Sequence, residues 1–236
     1  MSEPTTVVIS VRGDAEQLVP PDLGTVHGAL RTVAGSKAAA LRDVAAAQDA
    51  LVGDLTQFGA VPFAADSPRQ PVAWLSRSAT TEIEHDYDDR TGRHGPTGNV
   101  IAQVAVTVYV RDFARRDDLD ALLAQHELFN VHWVGWHVDA DNPAWAEVRA
   151  AAIRAAILRG RDYAAALGGS LVRIDQVADA GLLGEGGERR AGGLMMGARA
   201  ASAGFDEGQA PSLDPVPQTL SAVIDARFTA SVPSLV

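Results

Sequence analysis

The stretch "HWVGWHVDAD" (132–141) holds the residue types a metal site needs. His137, Asp139 and Asp141 fall on one parity of an extended chain, so their side chains point the same way. One imidazole and two carboxylates suit a hard or borderline cation. His132 has the opposite parity to His137, so one regular strand cannot offer both rings to one ion. The competing reading is a strand with core tryptophans that ends in a helix cap. No pattern of supporting residues is visible around the three ligands. We therefore assign no metal, and His137, Asp139 and Asp141 are the positions to check.

Other chemistry is thinner. "EIEHDYDD" (82–89) pairs carboxylates with His85. Acid–base work needs one carboxyl held protonated in a dry pocket, and this run abuts a polar loop. It reads as a solvated strand end. "GEGGERRAGG" (184–193) has the glycines of a phosphate-cradling loop but lacks the Lys-Ser/Thr pair. No G-x-S-x-G elbow marks a nucleophilic serine. No catalytic residue and no cofactor is assigned. "RGD" (12–14) spells an adhesion tripeptide, yet it sits inside an alternating strand pattern. The structural reading prevails.

Composition narrows the classes. The chain has 236 residues, 47% hydrophobic and 21% charged, with no cysteine and a net charge of -10. This suits a globular protein with a sizeable core and no disulfides. A negative balance with scattered arginines argues against a nucleic-acid partner. No apolar run reaches the length of a membrane span. Residues 1–6 lack a basic, then apolar, leader, so the expected location is cytoplasmic.

The elements that would position these residues follow from periodicity. Alternation from Val7 gives a strand that Pro20-Pro21 must end, because proline donates no ladder hydrogen bond. A second strand follows from Leu23. Ser36 caps a helix whose stripe is Leu41, Val44, Leu51, Leu55 and Phe58, closed by Gly59. Residues 74–87 are extended and 88–99 form a turn-rich loop. Val100 to Val110 alternate as one apolar face, the pattern of an antiparallel sheet covered on one side. Asp117 or Asp118 caps a short helix with Leu119, Leu122 and Leu123 inward, and 131–139 is a strand. Asn142-Pro143 opens the longest helix, whose expected buried face is Trp145, Val148, Ala152, Ala155, Ile157, Tyr163 and Leu167. Strands at 171–178 and 219–232 flank a Gly-, Ala- and Pro-rich segment, 183–218. A β-β-α pattern occurs twice, near 7–59 and 74–127.

Three stretches together resemble the SIMPL-domain family. "ISVRGDAEQLVPPDLGTV" is similar to its opening strand, glycine, proline-aspartate corner and second strand. "NVHWVGWHVDADNPAWAEVRAAAIRAAILRGRDYAAALGGSLVRI" is similar to its strand and alanine-rich helix ending in Ala-Leu-Gly. "VPQTLSAVIDARFTASV" looks like its closing strands. The resemblance implies an α+β fold, antiparallel sheet with helices packed on it, in the order β-β-α-β-β-α-β-α-β-β. It implies a bacterial protein of unassigned biochemistry, often exported, linked to stress defence and self-association, and it supplies no catalytic residues. The expected organisation is one SIMPL-like domain over 1–236 with a flexible loop at 183–218. The expected function is non-enzymatic: a homo-oligomer or partner binder in a stress response, with Leu194, Met195 and Met196 as contact residues. The alternative is an enzyme or small-ligand binder whose site lies under the 183–218 loop, its ligand unknown.

Overall fold

The computed structural model describes residues 5–64, 69–88, 93–183, 199–200 and 213–233. Leu194, Met195 and Met196 lie outside the described residues. The fold is α+β, with mainly antiparallel sheets and three α-helices, and the order of elements is broadly the expected one, with extra short strands. The chain divides into two compact units. One takes residues 1–20, 138–201 and 217–236; the other takes 21–137 and 202–216. No helix of the described residues is long and apolar enough to cross a membrane.

The first unit is built on β1 (Thr5–Val19) and β10 (Gln218–Val232), antiparallel from Thr5↔Val232 to Val19↔Gln218. β8 (Ser170–Asp179) pairs with the other side of β10, and the two-residue β9 (Arg199–Ala200) also joins it. One face of β10 is buried at every second residue from Gln218 to Ala230. That face meets α3 (Ala144–Ala166). Asn142 caps α3: its Oδ1 accepts the Ala144 N–H at 2.9 Å, and Pro143 already has helical angles, the Asn-cap, Pro-first arrangement. The buried stripe is Trp145, Val148, Ala152, Ala156, Gly160 and Ala164. This corrects the expected face. Tyr163 and Leu167 are about half exposed, because the helix meets the sheet through small residues four apart.

Gly13 explains that choice. A Cβ there would collide with the Ala152 carbonyl and lie 2.7 Å and 2.8 Å from N and Cβ of Ala156. The α3 backbone therefore rests directly on β1, and a glycine in the strand is what admits it.

The second unit is a sheet in the order β3-β4-β6-β2-β7, formed by β2 (Leu23–Ala34), β3 (Val61–Pro62), β4 (Val72–Ser76), β6 (Arg93–Val110) and β7 (Phe129–His137). β5 (Thr80–Asp88) pairs with the first half of β6, and β4 with its second half. The expected single extended segment at 74–87 is thus two strands sharing one partner. The expected loop at 88–99 is strand from Arg93 onward. Gly98, with φ +88°, and a bulge between Ile83 and His85 let the β5–β6 ladder continue through Pro96. α1 (Lys37–Gln57) is capped by Ser36, whose Oγ accepts from Ala39 N at 3.3 Å, and Gly59 follows its end at φ +95°. Val44, Leu51 and Leu55 pack on Val26, Leu30 and the valine row of β6. α2 (Arg116–Ala124) turns Leu119, Leu122 and Leu123 inward. Its lead-in is a 3-10 turn, Phe113–Arg115, capped by Asp112; Asp117 and Asp118 lie in its first turn, not at its cap. The two β-β-α segments are not equivalent: β1 and β2 belong to different sheets, whereas β5 and β6 form one ladder.

Candidate functional site

Residues 12–14 sit in the middle of β1. Arg12 meets Asp225 on β10 through two hydrogen bonds, Nε–Oδ1 at 2.8 Å and Nη2–Oδ2 at 3.4 Å. The Gly181 N–H donates to the same carboxylate at 2.8 Å. These donors, the Arg12 guanidinium first, hold the Asp225 carboxyl below its ordinary range. Arg159 of α3 donates to the Arg12 carbonyl and reaches Asp14 at 3.3 Å. All three residues of the tripeptide are thus engaged in the fold. An open cleft of about 520 Å³ lies beside them, lined by Ser10, Arg12, Gly181, Leu183, Asp225 and Arg227.

The second unit gathers a polar and aromatic cluster on the sheet face away from α1. The residues at 25 and 27 on β2, 107 on β6, and 133, 135 and 137 on β7 meet there by register. The His27 ring stacks on Trp133 with centroids 3.8 Å apart, and its Nδ1 lies 3.1 Å from the Thr107 hydroxyl. His137 Nε2 lies 3.2 Å from the Thr25 hydroxyl. Gly135 makes the convergence possible: a Cβ there would stand 2.7 Å from Thr25 Oγ1 and 3.2 Å from His137 Nε2. Burial, then the charges of His137 and Arg77, lowers the His27 pKa. His27 is invisible as a partner in sequence because it stands more than a hundred residues from Trp133.

The strand ends at His137, so the parity of an extended chain does not carry on to Asp139 and Asp141. His137 turns to Thr25 at the end of β7. Asp139 and Asp141 lie past it in the turn before α3, where the Asp139 carbonyl accepts from Trp145 Nε1 at 3.0 Å and from the Asn142 N–H at 3.1 Å. Among the described residues, no group of three His, Asp or Glu is placed to hold a metal. In the acidic run, Glu84 accepts from Thr97 at 2.7 Å and Asn99 at 2.9 Å. These bonds, the one from Asn99 foremost, lower its pKa. That is the opposite of what a general acid needs.

β8 has a different character. Along most of its length both faces are exposed, with Val172 61%, Ile174 50% and Val177 45% accessible. Its pairing with β10 carries two irregularities, between Arg227 and Phe228 and between Thr229 and Ala230. They leave Asp175 and Val172 without rungs. Asp175 accepts from Arg173 Nε at 2.7 Å and from the Thr229 hydroxyl at 2.7 Å; the Thr229 bond, then that from Arg173, lowers its pKa. Apolar side chains on a sheet edge are what soluble folds ordinarily avoid. α3 packs mainly over β1 and β10 and covers β8 little.

Two units of antiparallel sheet and helix, with an alanine-rich helix seated on a strand glycine, define an α+β protein of the class the opening strand and corner resemble. The chain belongs to the SIMPL family, described as "protein of unknown function (DUF541)", whose model matches residues 9–228. No curated protein matches the chain.

Proposed function

We propose that this protein acts by binding protein surfaces, in the first place other copies of itself, and not by catalysis. The observation that supports this is the β8 edge: an exposed strand carrying Val172, Ile174 and Val177. Edge strands with apolar side chains pair with further chains unless something blocks them. We extend the proposal to a stress-response setting, as the resemblance implied. Size-exclusion chromatography with light scattering tests the reading. The expected mass is a multiple, twice or more, of 24.7 kDa; a 24.7 kDa species at every concentration overturns it.

A second reading has one observation in its favour, the cleft beside Arg12 and Arg227 at the foot of the 183–218 segment. Two guanidiniums and the Ser10 hydroxyl suit a small anionic ligand. Arg12 is held by Asp225, and Arg227 donates to the Leu183 carbonyl at 3.0 Å, so a ligand there has to compete with both. Titration with simple carboxylates and phosphates, followed by amide shifts at Gly181 and Arg227, tests it. Unmoved signals at saturating anion reject this reading.

A further inference from the structure

We propose that two copies join edge to edge through β8, antiparallel, about a two-fold axis at Ile174. The proposal rests on the self-association reading above and names its surface. Among the described residues β8 has one strand neighbour, β10. Among the described residues its other edge offers backbone donors and acceptors to a further strand.

The sequence of β8 is complementary to itself in one register. An antiparallel pair centred on Ile174 sets Ile174 against Ile174, Leu171 against Val177, and Arg173 against Asp175. Residues directly opposite point to the same side of a sheet, so the faces must also agree. They do, because of the two irregularities. Leu171, Ile174 and Val177 pair with Ala230, Phe228 and Ala226, all on the α3 side of β10. A regular strand would have sent Ile174 to the opposite face from the other two. The spacing of three, created by the bulges, forms an apolar row symmetric about Ile174. Arg173 pairs with Thr229 on the other face, where Asp175 also bonds the Thr229 hydroxyl. Each Arg173 would thus meet the second copy's Asp175 there.

Neighbouring registers fail. Moving the axis to residue 173 opposes two arginines, and moving it to 175 opposes two aspartates. A half-step sets Arg173 against Ile174. Like charges directly opposite destabilise a pair, and opposite charges support it. A contact that uses the same patch on both subunits closes on itself, which gives a dimer and not a fibre. The two sheets then run as one through the paired β8 strands.

The chain has no cysteine, so Ile174→Cys provides a single reporter. Opposite residues in an antiparallel pair stand roughly 4.5–5.5 Å apart at Cα, within disulfide reach. Mild oxidation should convert most of the Ile174→Cys protein to a covalent dimer. Leu158→Cys, at a still more exposed position on α3, should give little. Arg173→Asp and Asp175→Arg should each raise the dimer dissociation constant at least about ten-fold, and the double exchange should return it to within about three-fold of wild type. Self-association by light scattering without the Ile174→Cys cross-link or the charge rescue overturns the β8 pairing and leaves the function reading standing. A strictly monomeric wild-type protein overturns both.

Discussion

In the unit built on β2 and β6, α1 meets the sheet through Val44, Leu51 and Leu55, all fully buried, against a row of valines. Large side chains from both layers fill the space. In the unit built on β1 and β10, α3 meets the sheet through Ala152, Ala156, Gly160 and Ala164, and the strand answers with Gly13. Here the α3 backbone comes down onto β1 at Gly13, and Gly160 leaves the room that the Phe228 ring of β10 fills. The two seats bury their helices by opposite means, so they should fail differently. Removing volume should damage the first, and adding volume the second.

The largest effect expected is from Gly13→Val. The strand cannot accept a side chain without displacing the Ala152 carbonyl, a backbone atom of a long helix. We expect a loss of about 4 kcal/mol in urea unfolding, above the usual overpacking cost. A loss under about 1 kcal/mol would break the comparison, since the close seat would then have room. Leu55→Ala tests the other side. It removes a fully buried side chain, and the expected loss is about 3 kcal/mol.

Helix caps sharpen the contrast at a lower level. Asn142 holds its α3 amide at 2.9 Å, while Ser36 holds its α1 amide at 3.3 Å. Asn142→Ala should cost about 1 kcal/mol and Ser36→Ala about half that. Equal costs would show that the difference in length carries no energy.

The smallest effects should come from pH. His27 has a folded pKa lowered by burial and by His137 and Arg77. The unfolded chain then binds its proton more readily, so stability is full above about pH 6.5 and falls as pH drops through the folded value. Asp225 is also lowered, by Arg12 foremost. Its contribution is present above about pH 3.9 and is lost further into acid. Stability measured between pH 7 and 3 should show two separate declines. His27→Gln should flatten the upper one and Asp225→Asn only part of the lower one, because the lowered carboxyls of Glu84 and Asp175 act in the same acid range; a single decline insensitive to His27→Gln would refute the assignment.

Local signals carry much of this fold. Ser36, Gly59, Asn142 and the Pro20-Pro21 corner each act within a few residues, and the structure uses all of them as read. The alternation of Val100 to Val110 is likewise a local record of one buried face. Misreadings arise where a distant partner decides. Tyr163 and Leu167 fit a helical stripe, but which stripe is buried depends on how closely α3 lies on Gly13. Residues 93–99 have turn-like composition, yet β5 supplies a ladder that holds them extended. In the candidate sites, the tryptophan-histidine stretch is visible in sequence, but its partners His27, Thr25 and Thr107 come from β2 and β6. The apolar residues of β8 look like those of any buried strand; only the tertiary structure shows them uncovered.

The β1–β10 ladder joins residues roughly two hundred positions apart at every rung. A ribosome emits the chain from one end, at about 5–20 residues per second. β1, with Val7, Ile9 and Val11 along one side, emerges ahead of β2, α1, β6 and β7, and its partner β10 follows all of them. For roughly 10–40 seconds at that pace β1 has no mate, while β2, α1, β6 and β7 have all been delivered. Pairings this distant are slow to close. During synthesis the early strand is therefore the segment that most needs shielding from other nascent chains.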